Sequence, residues 1–180
     1  NGNLTPSSTA ALFSELYDRI FSSDVMQKDA WVDTELIVKA IENAKEETFQ
    51  NALTAVCRRL RGAFSMLFLY DQMLYAVRDT HGFRPLEIGI CNFGYIAASE
   101  DSVFTKFPNG KKVRSVAPGE CVIMQRKNQN ASLAIHNWSE GPWPPDYKET
   151  HFCQFEQVYF SRGDSILGEE RVMVQQERLG

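Results

Sequence analysis

The apolar pattern changes its period at Gly62, and that change limits the chain to one broad class of fold. Before Gly62, apolar residues recur at helical spacing in three sets. These are Leu12, Phe13, Leu16, Tyr17 and Ile20; then Leu36, Ile37, Ala40, Ile41 and Ala44; then Phe49, Leu53, Val56, Cys57 and Leu60. Each set covers one face of a 3.6-residue spiral. After Gly62 the runs are short, aromatic and aliphatic, as strands require. Helices followed by strands, rather than alternating with them, predict an α+β domain with segregated layers.

Local signals sharpen the boundaries. Thr5-Pro6 reads as an N-cap with proline at the first helical position, where its missing N–H costs nothing. Asp33 is expected to cap the second helix, and the third starts near Thr48. The polar stretch Ser22 to Asp29 separates the first two. Ala63 to Tyr70 predicts a strand buried on both faces. Asp71-Gln72 is a tight-turn pair, with Met73 to Val77 as the returning strand. Further strands are expected at Tyr95–Ala98, Gly119–Met124 and Leu133–His136. The three prolines within Gly141–Asp146 forbid helix or central strand and read as a linker, which puts a boundary near residues 140–152. Beyond it, Phe155 to Phe160 predicts another strand and Arg171 to Leu179 a helix.

Composition excludes several classes of function. A chain of 180 residues, 43% hydrophobic, can bury one core plus a fragment of a second. Its formal charge of −4 forms no basic stripe, which argues against nucleic acid as a partner. No apolar run reaches the roughly 18–20 residues of a membrane span, and the polar opening does not resemble a signal peptide. Cys57, Cys91, Cys121 and Cys153 form no CxxC pair, which suits reduced thiols and a cytoplasmic protein. His81, His136 and His151 lack metal-ligand spacing, and no GxSxG elbow or phosphate-cradling loop occurs. The residue types alone therefore reach no further than an α+β domain.

Particular strings reach further. Arg78-Asp79-Thr80-His81-Gly82-Phe83-Arg84-Pro85-Leu86-Glu87-Ile88-Gly89 closely resembles the RDxxGxRPLxxG stretch of the amidophosphoribosyltransferase family. Ala98-Ser99-Glu100 is similar to its ASE, Val116-Ala117-Pro118-Gly119-Glu120 to its PGE turn, and Phe155 to Ser165 to its FEYVYFARPDS. At the front, Asn1-Gly2-Asn3-Leu4 resembles HNGNL and Asp33-Thr34-Glu35 resembles SDTE. Other class II glutamine amidotransferases share the Asn-Gly and Asp-Thr-Glu elements, but the Arg84-Pro85-Leu86 and Phe155–Ser165 strings favour the purine enzyme. Departures occur at Thr80, Gln157, Gly163 and Gln175-Gln176, mostly in the later half.

The resemblance implies an incomplete four-layer αββα N-terminal-nucleophile fold followed by the start of an α/β phosphoribosyltransferase domain. It places the glutaminase portion at 1–145 and the transferase portion at 146–180. An N-terminal cysteine would attack the side-chain amide of glutamine, with its own amino group as base. Asn1 and Gly2 would donate to the resulting oxyanion, each donor contributing about 3–4 kcal/mol in the transition state. Asp33 would hold the glutamine α-ammonium, a role compatible with capping a helix. Ammonia would then pass to phosphoribosyl pyrophosphate at a magnesium-dependent site outside this chain. Cys153 matches one ligand of the iron–sulfur cluster found in some members, and is equally a good small core residue. Arg78, Asp79 and Arg84 are expected to organise structure rather than chemistry.

Since the chain opens at Asn1 and none of its cysteines is N-terminal, it is expected to be an internal fragment without its nucleophile. As such it would be inactive and prone to aggregate, whereas the full-length enzyme would be a homo-oligomer. The competing expectations are a catalytically dead glutaminase-like module and another class II amidotransferase.

Overall fold

The computed structural model describes residues 2–20, 32–127, 130–137, 151, 153–167 and 170–179. They fall into two compact units, Gly2–Ala63 and Phe64–Gly180. The boundary expected near 140–152 falls almost entirely outside the described residues, as does the polar stretch Ser22 to Asp29.

In the first unit a short strand β1 (Gly2–Leu4) leads into helix α1 (Pro6–Ile20). Thr5 precedes Pro6 as expected, and its carbonyl accepts the Thr9 N–H at 3.1 Å. Leu12 and Leu16 bury one stripe of this helix. Helix α2 (Asp33–Glu42) buries Leu36, Ile37, Ala40 and Ile41, the expected face. Its cap corrects the sequence reading. Val32 holds the extended cap conformation (φ −88°, ψ 150°), and Glu35 reaches back to the Val32 N–H at 3.4 Å. Asp33 thus sits one residue inside the helix, because Glu35 lies three residues after Val32, the spacing from which a carboxylate reaches the cap N–H. Helix α3 (Phe49–Cys57) is capped by Thr48, whose hydroxyl accepts the Asn51 N–H at 3.2 Å.

In the second unit, strands β2 (Gly62–Tyr70), β3 (Met73–Arg78), β7 (Glu120–Lys127) and β8 (Asn130–Asn137) lie side by side in that order, all antiparallel. A second antiparallel sheet has the order β5 (Gly94–Ala98), β4 (Glu87–Cys91), β6 (Lys111–Ser115). The core lies between them: Ala76, Val122 and Met124 of the first sheet meet Leu86, Ile88 and Val116, with Leu74, Leu133, Tyr95 and Ala97 packed around. Each large aliphatic side chain buried there contributes about 1.5–3 kcal/mol.

Three sequence expectations need correction here. Strand β2 is not buried on both faces: Leu67 and Leu69 are 48% and 79% exposed. Their register partners, Ala76 and Leu74, belong to or pack on the core, whereas no β2 residue joins it, so the second sheet leaves the far end of β2 uncovered. Strands β4 and β6 were not anticipated. Gly89 interrupts the first, and the second reads Lys-Lys-Val-Arg-Ser. Gly89 is nonetheless required, since a Cβ there would lie 2.6 Å from the buried Phe104 ring of the 3-10 helix Asp101–Lys106.

The third correction is Phe155 to Phe160, which is helical rather than a strand. Phe155 has αR torsions, and the Ser161 N–H bonds the Glu156 carbonyl at 2.8 Å, closing a π-type turn over Glu156–Phe160. The aromatic content that suggested a strand is instead displayed outward, with Tyr159 73% exposed. The segment is fixed by its one buried charge, Glu156, paired with Arg84 at 2.5 Å. A two-strand ribbon, β9 (Ile166–Leu167) and β10 (Glu170–Arg171), then leads into α4 (Val172–Leu179), close to the expected helix.

Candidate functional site

Within the first unit, Asp33 of α2 is the expected site residue whose contacts can be followed. Its Oδ2 accepts the Leu4 N–H and its Oδ1 accepts the Thr9 hydroxyl, both at 3.4 Å. The carboxylate is half-buried and stands in the first turn of α2, where the helix dipole favours negative charge. Because Val32 and Glu35 make the cap, Asp33 is not consumed by it. A carboxylate offers about four acceptor positions, so the two long bonds it accepts from described residues leave room for a cation. The same Leu4 ends the strand that Gly2 begins, so Asp33 stands at the end of the Asn-Gly segment. Asn1 itself lies outside the described residues. Of the expected site residues, Gly2 and Asp33 are therefore placed in one unit. Thr9 was not anticipated, and no motif singled it out.

The Arg78–Gly89 string has the opposite character. Arg78 is buried and donates to three backbone carbonyls, those of Arg84 (2.8 Å), Gly82 (2.7 Å) and Val116 (2.6 Å). Burial pushes its guanidinium below the ordinary value, with Asp79 and Glu87 opposing. Asp79 is fully buried and accepts the N–H groups of Phe64 (3.2 Å), His81 (2.9 Å) and Phe83 (3.4 Å). Gly82 adopts φ +65° between the Arg78 guanidinium and the Pro118 ring, where a Cβ would meet Pro118 at 2.9 Å. These charges organise a turn, as expected, and have no free face for a substrate.

The remaining strings also turn out to be joints. Glu120 of the Pro-Gly-Glu turn takes the Ala117 N–H at 2.7 Å and a two-pronged bond from Arg114 at 2.7 and 2.8 Å. Glu100 accepts the Arg162 N–H at 3.0 Å and the Ser165 hydroxyl at 2.7 Å, while Asp101 accepts the Ile166 N–H at 2.9 Å. The Ala-Ser-Glu string is thereby tied to the Arg162–Ser165 string, some 60 residues later. Arg84, whose Nη1 pairs with Glu156, also lies over the Phe160 ring at 5.7 Å.

None of the cysteines is disulfide-bonded. Burial, with Glu120 adding to it, pushes the Cys121 thiol up to about 12, so it is not a nucleophile near neutral pH. Cys153 is half-buried. It offers one thiolate where an iron–sulfur cluster needs about four, and no group of three or more metal-binding side chains occurs among the described residues. By themselves, then, the described residues do not fit a cluster. Nor is any helix among them long and apolar enough to cross a membrane.

Residues 13–106 match the glutamine amidotransferase domain family. Amidophosphoribosyltransferase 3, chloroplastic, of Arabidopsis thaliana is 34% identical over 135 residues, covering 75% of this chain and 24% of the relative. The amidophosphoribosyltransferase of Pyrococcus horikoshii is 34% identical over 164 residues, covering 90% and 33%. Among solved structures, glutamine phosphoribosylpyrophosphate amidotransferase from B. subtilis, complexed with ADP and GMP, superposes with a TM-score of 0.78 at 26% identity. That match covers 96% of this chain and 34% of the other. The chain thus spans about a quarter to a third of these relatives and shares their N-terminal-nucleophile type of α+β fold. It belongs to the glutamine amidotransferase domain family, and the relatives it resembles are amidophosphoribosyltransferases.

Proposed function

We propose that the protein this chain represents hydrolyses glutamine and transfers the ammonia to phosphoribosyl pyrophosphate, giving 5-phosphoribosylamine at the start of de novo purine synthesis. The observation that carries this reading is the Asp33 carboxylate, left free of the helix cap and held beside the Asn-Gly strand. Asp33 binds the glutamine α-ammonium through a charge-assisted hydrogen bond. Asn1 and Gly2 donate to the oxyanion that forms when a cysteine nucleophile attacks the amide carbon. The electron pair returning from that oxyanion expels ammonia, which leaves with the proton that the cysteine's amino group took from the thiol, and the resulting thioester is hydrolysed by water to glutamate and the free thiol. Residues 1–145 belong to the glutaminase portion and 146–180 to the transferase portion in this reading. Magnesium and phosphoribosyl pyrophosphate bind beyond residue 180, in a cytoplasmic homo-oligomer. Cys153 ligates a cluster only if three further thiolates come from outside the described residues, and iron and sulfide analysis of the full-length protein decides that point.

The test is kinetic. The full-length protein should release glutamate from glutamine and, with phosphoribosyl pyrophosphate, form pyrophosphate in step with it. Asp33→Asn should raise KM for glutamine at least tenfold. A full-length protein that binds glutamine without hydrolysing it would instead identify a dead glutaminase-like module. The isolated 180 residues should release no ammonia, and measured release would overturn the assignment of the nucleophile to a cysteine outside this chain.

A further inference from the structure

The Asp33 carboxylate is gripped at two points that belong to different pieces of chain. Leu4 holds Oδ2 through its backbone N–H, which any residue but proline supplies. Thr9 holds Oδ1 through a side-chain hydroxyl, which only a few residue types supply. Thr9 is half-buried on the first turns of α1, 24 residues before Asp33. Its hydroxyl has a single proton and two acceptors at equal distance, the Thr5 carbonyl and Asp33 Oδ1, both at 3.4 Å. Bonding back to the carbonyl four residues earlier is the ordinary choice of a helical threonine. The carboxylate carries a full charge and attracts the donor more strongly than the neutral carbonyl does.

We propose that Thr9 is a positioning residue for glutamine recognition: its hydroxyl fixes the plane of the Asp33 carboxylate so that the remaining acceptor positions face the substrate ammonium. This rests on the assignment of Asp33 as the ammonium-binding residue. Thr9 does not touch the substrate. With Oδ1 and Oδ2 each reached by one donor, rotation of the carboxylate about its Cβ–Cγ bond lengthens both contacts. Losing one of them frees the rotation, and the cost falls on the ligand that needs the carboxylate in one orientation.

The experiment is calorimetric titration of the full-length protein, its nucleophile cysteine replaced by alanine so that glutamine binds without turnover, with glutamine and with 4-carbamoylbutanoate, which is glutamine without its α-amino group. Thr9→Val should weaken glutamine about fivefold to tenfold, the net effect of one ordinary hydrogen bond, and leave 4-carbamoylbutanoate unchanged. Thr9→Ser should restore the glutamine affinity, and Thr9→Ala should repeat the loss should the valine variant fold poorly. Equal weakening of both ligands, or no loss with Thr9→Val and Thr9→Ala, overturns the positioning role. If the wild type fails to prefer glutamine over the analogue, or Asp33→Asn leaves that preference intact, the assignment of Asp33 falls and the role of Thr9 with it. That result is distinguished from failure of Thr9 alone, in which Asp33→Asn abolishes the preference and Thr9→Val does not diminish it.

Discussion

Asp33 and Asp79 are both aspartates at the start of a family-like string, yet their surroundings are opposite. Asp79 is fully buried and accepts three backbone N–H groups at 2.9 to 3.4 Å. Asp33 is half-buried and accepts two donors at 3.4 Å. A carboxylate whose acceptor positions are filled by the chain's own backbone holds architecture. One held loosely at two points, with capacity remaining, can hold a ligand. The contrast separates function from structure better than the strings themselves do, since the Arg78–Gly89 string is the more conspicuous of the two.

The contrast can be broken at several places. The largest effect is expected from Asp79→Ala, which leaves three N–H groups without their acceptor and should destabilise the fold by about 3–5 kcal/mol. Thermal and urea denaturation check this, and a loss under 1 kcal/mol would mean the turn is held by something else. Next comes Gly89→Ala, whose methyl group runs into the Phe104 ring at 2.6 Å. About 1–3 kcal/mol of overpacking is expected, and Phe104→Leu in the same chain should recover part of it.

Cys121 tests the same buried region by titration. Its thiol is held neutral up to about 12, against an ordinary value of 9.0. Its folded-state value being raised, stability is undiminished below pH 9 and declines as pH rises from there toward 12. At pH 8 it should resist iodoacetamide while the half-buried Cys91 and Cys153 react, as mass spectrometry would show. Labelling of Cys121 at the rate of those two would contradict the burial argument. The smallest effect on stability belongs to Asp33→Asn, within about 0.5 kcal/mol because the amide keeps an acceptor oxygen. A melting shift as large as that of Asp79→Ala would erase the distinction between the two aspartates.

Much of this was legible in the residues because local chemistry decides it. Helix faces such as Leu36, Ile37, Ala40 and Ile41 declare themselves by spacing, and Thr48 by its hydroxyl. Asp33 was misplaced by one residue because Val32 has no capping side chain, so a cap made by Glu35 reaching back leaves little trace in sequence. Strand β6 hid behind charges that pair across space, Lys112 with Glu87 and Arg114 with Glu120. Phe155 to Phe160 has strand composition, but its conformation follows from Arg84, 72 residues away, which no local window contains. The bonds from Thr9 and Leu4 to Asp33 are likewise tertiary facts.

The turn at Asp71-Gln72 has a consequence for how the sheet finds its alignment. Both residues lie in the left-handed region, at φ +46° and +61°, although neither is glycine. That geometry suits the right-handed twist of the adjoining strands, and it joins β2 to β3 through the shortest common hairpin loop. Hairpins of this kind close in roughly 1–10 μs, long before strands fifty residues apart can meet. The alignment of β2 on β3 is therefore set by two residues, before β7 and β8 join at the other edge of β3. One residue inserted between Asp71 and Gln72 and taken up as a one-place slip would exchange the faces of β2, turning Met66 and Phe68 to where Leu67 and Leu69 now point, while β3 kept the face it presents to β7.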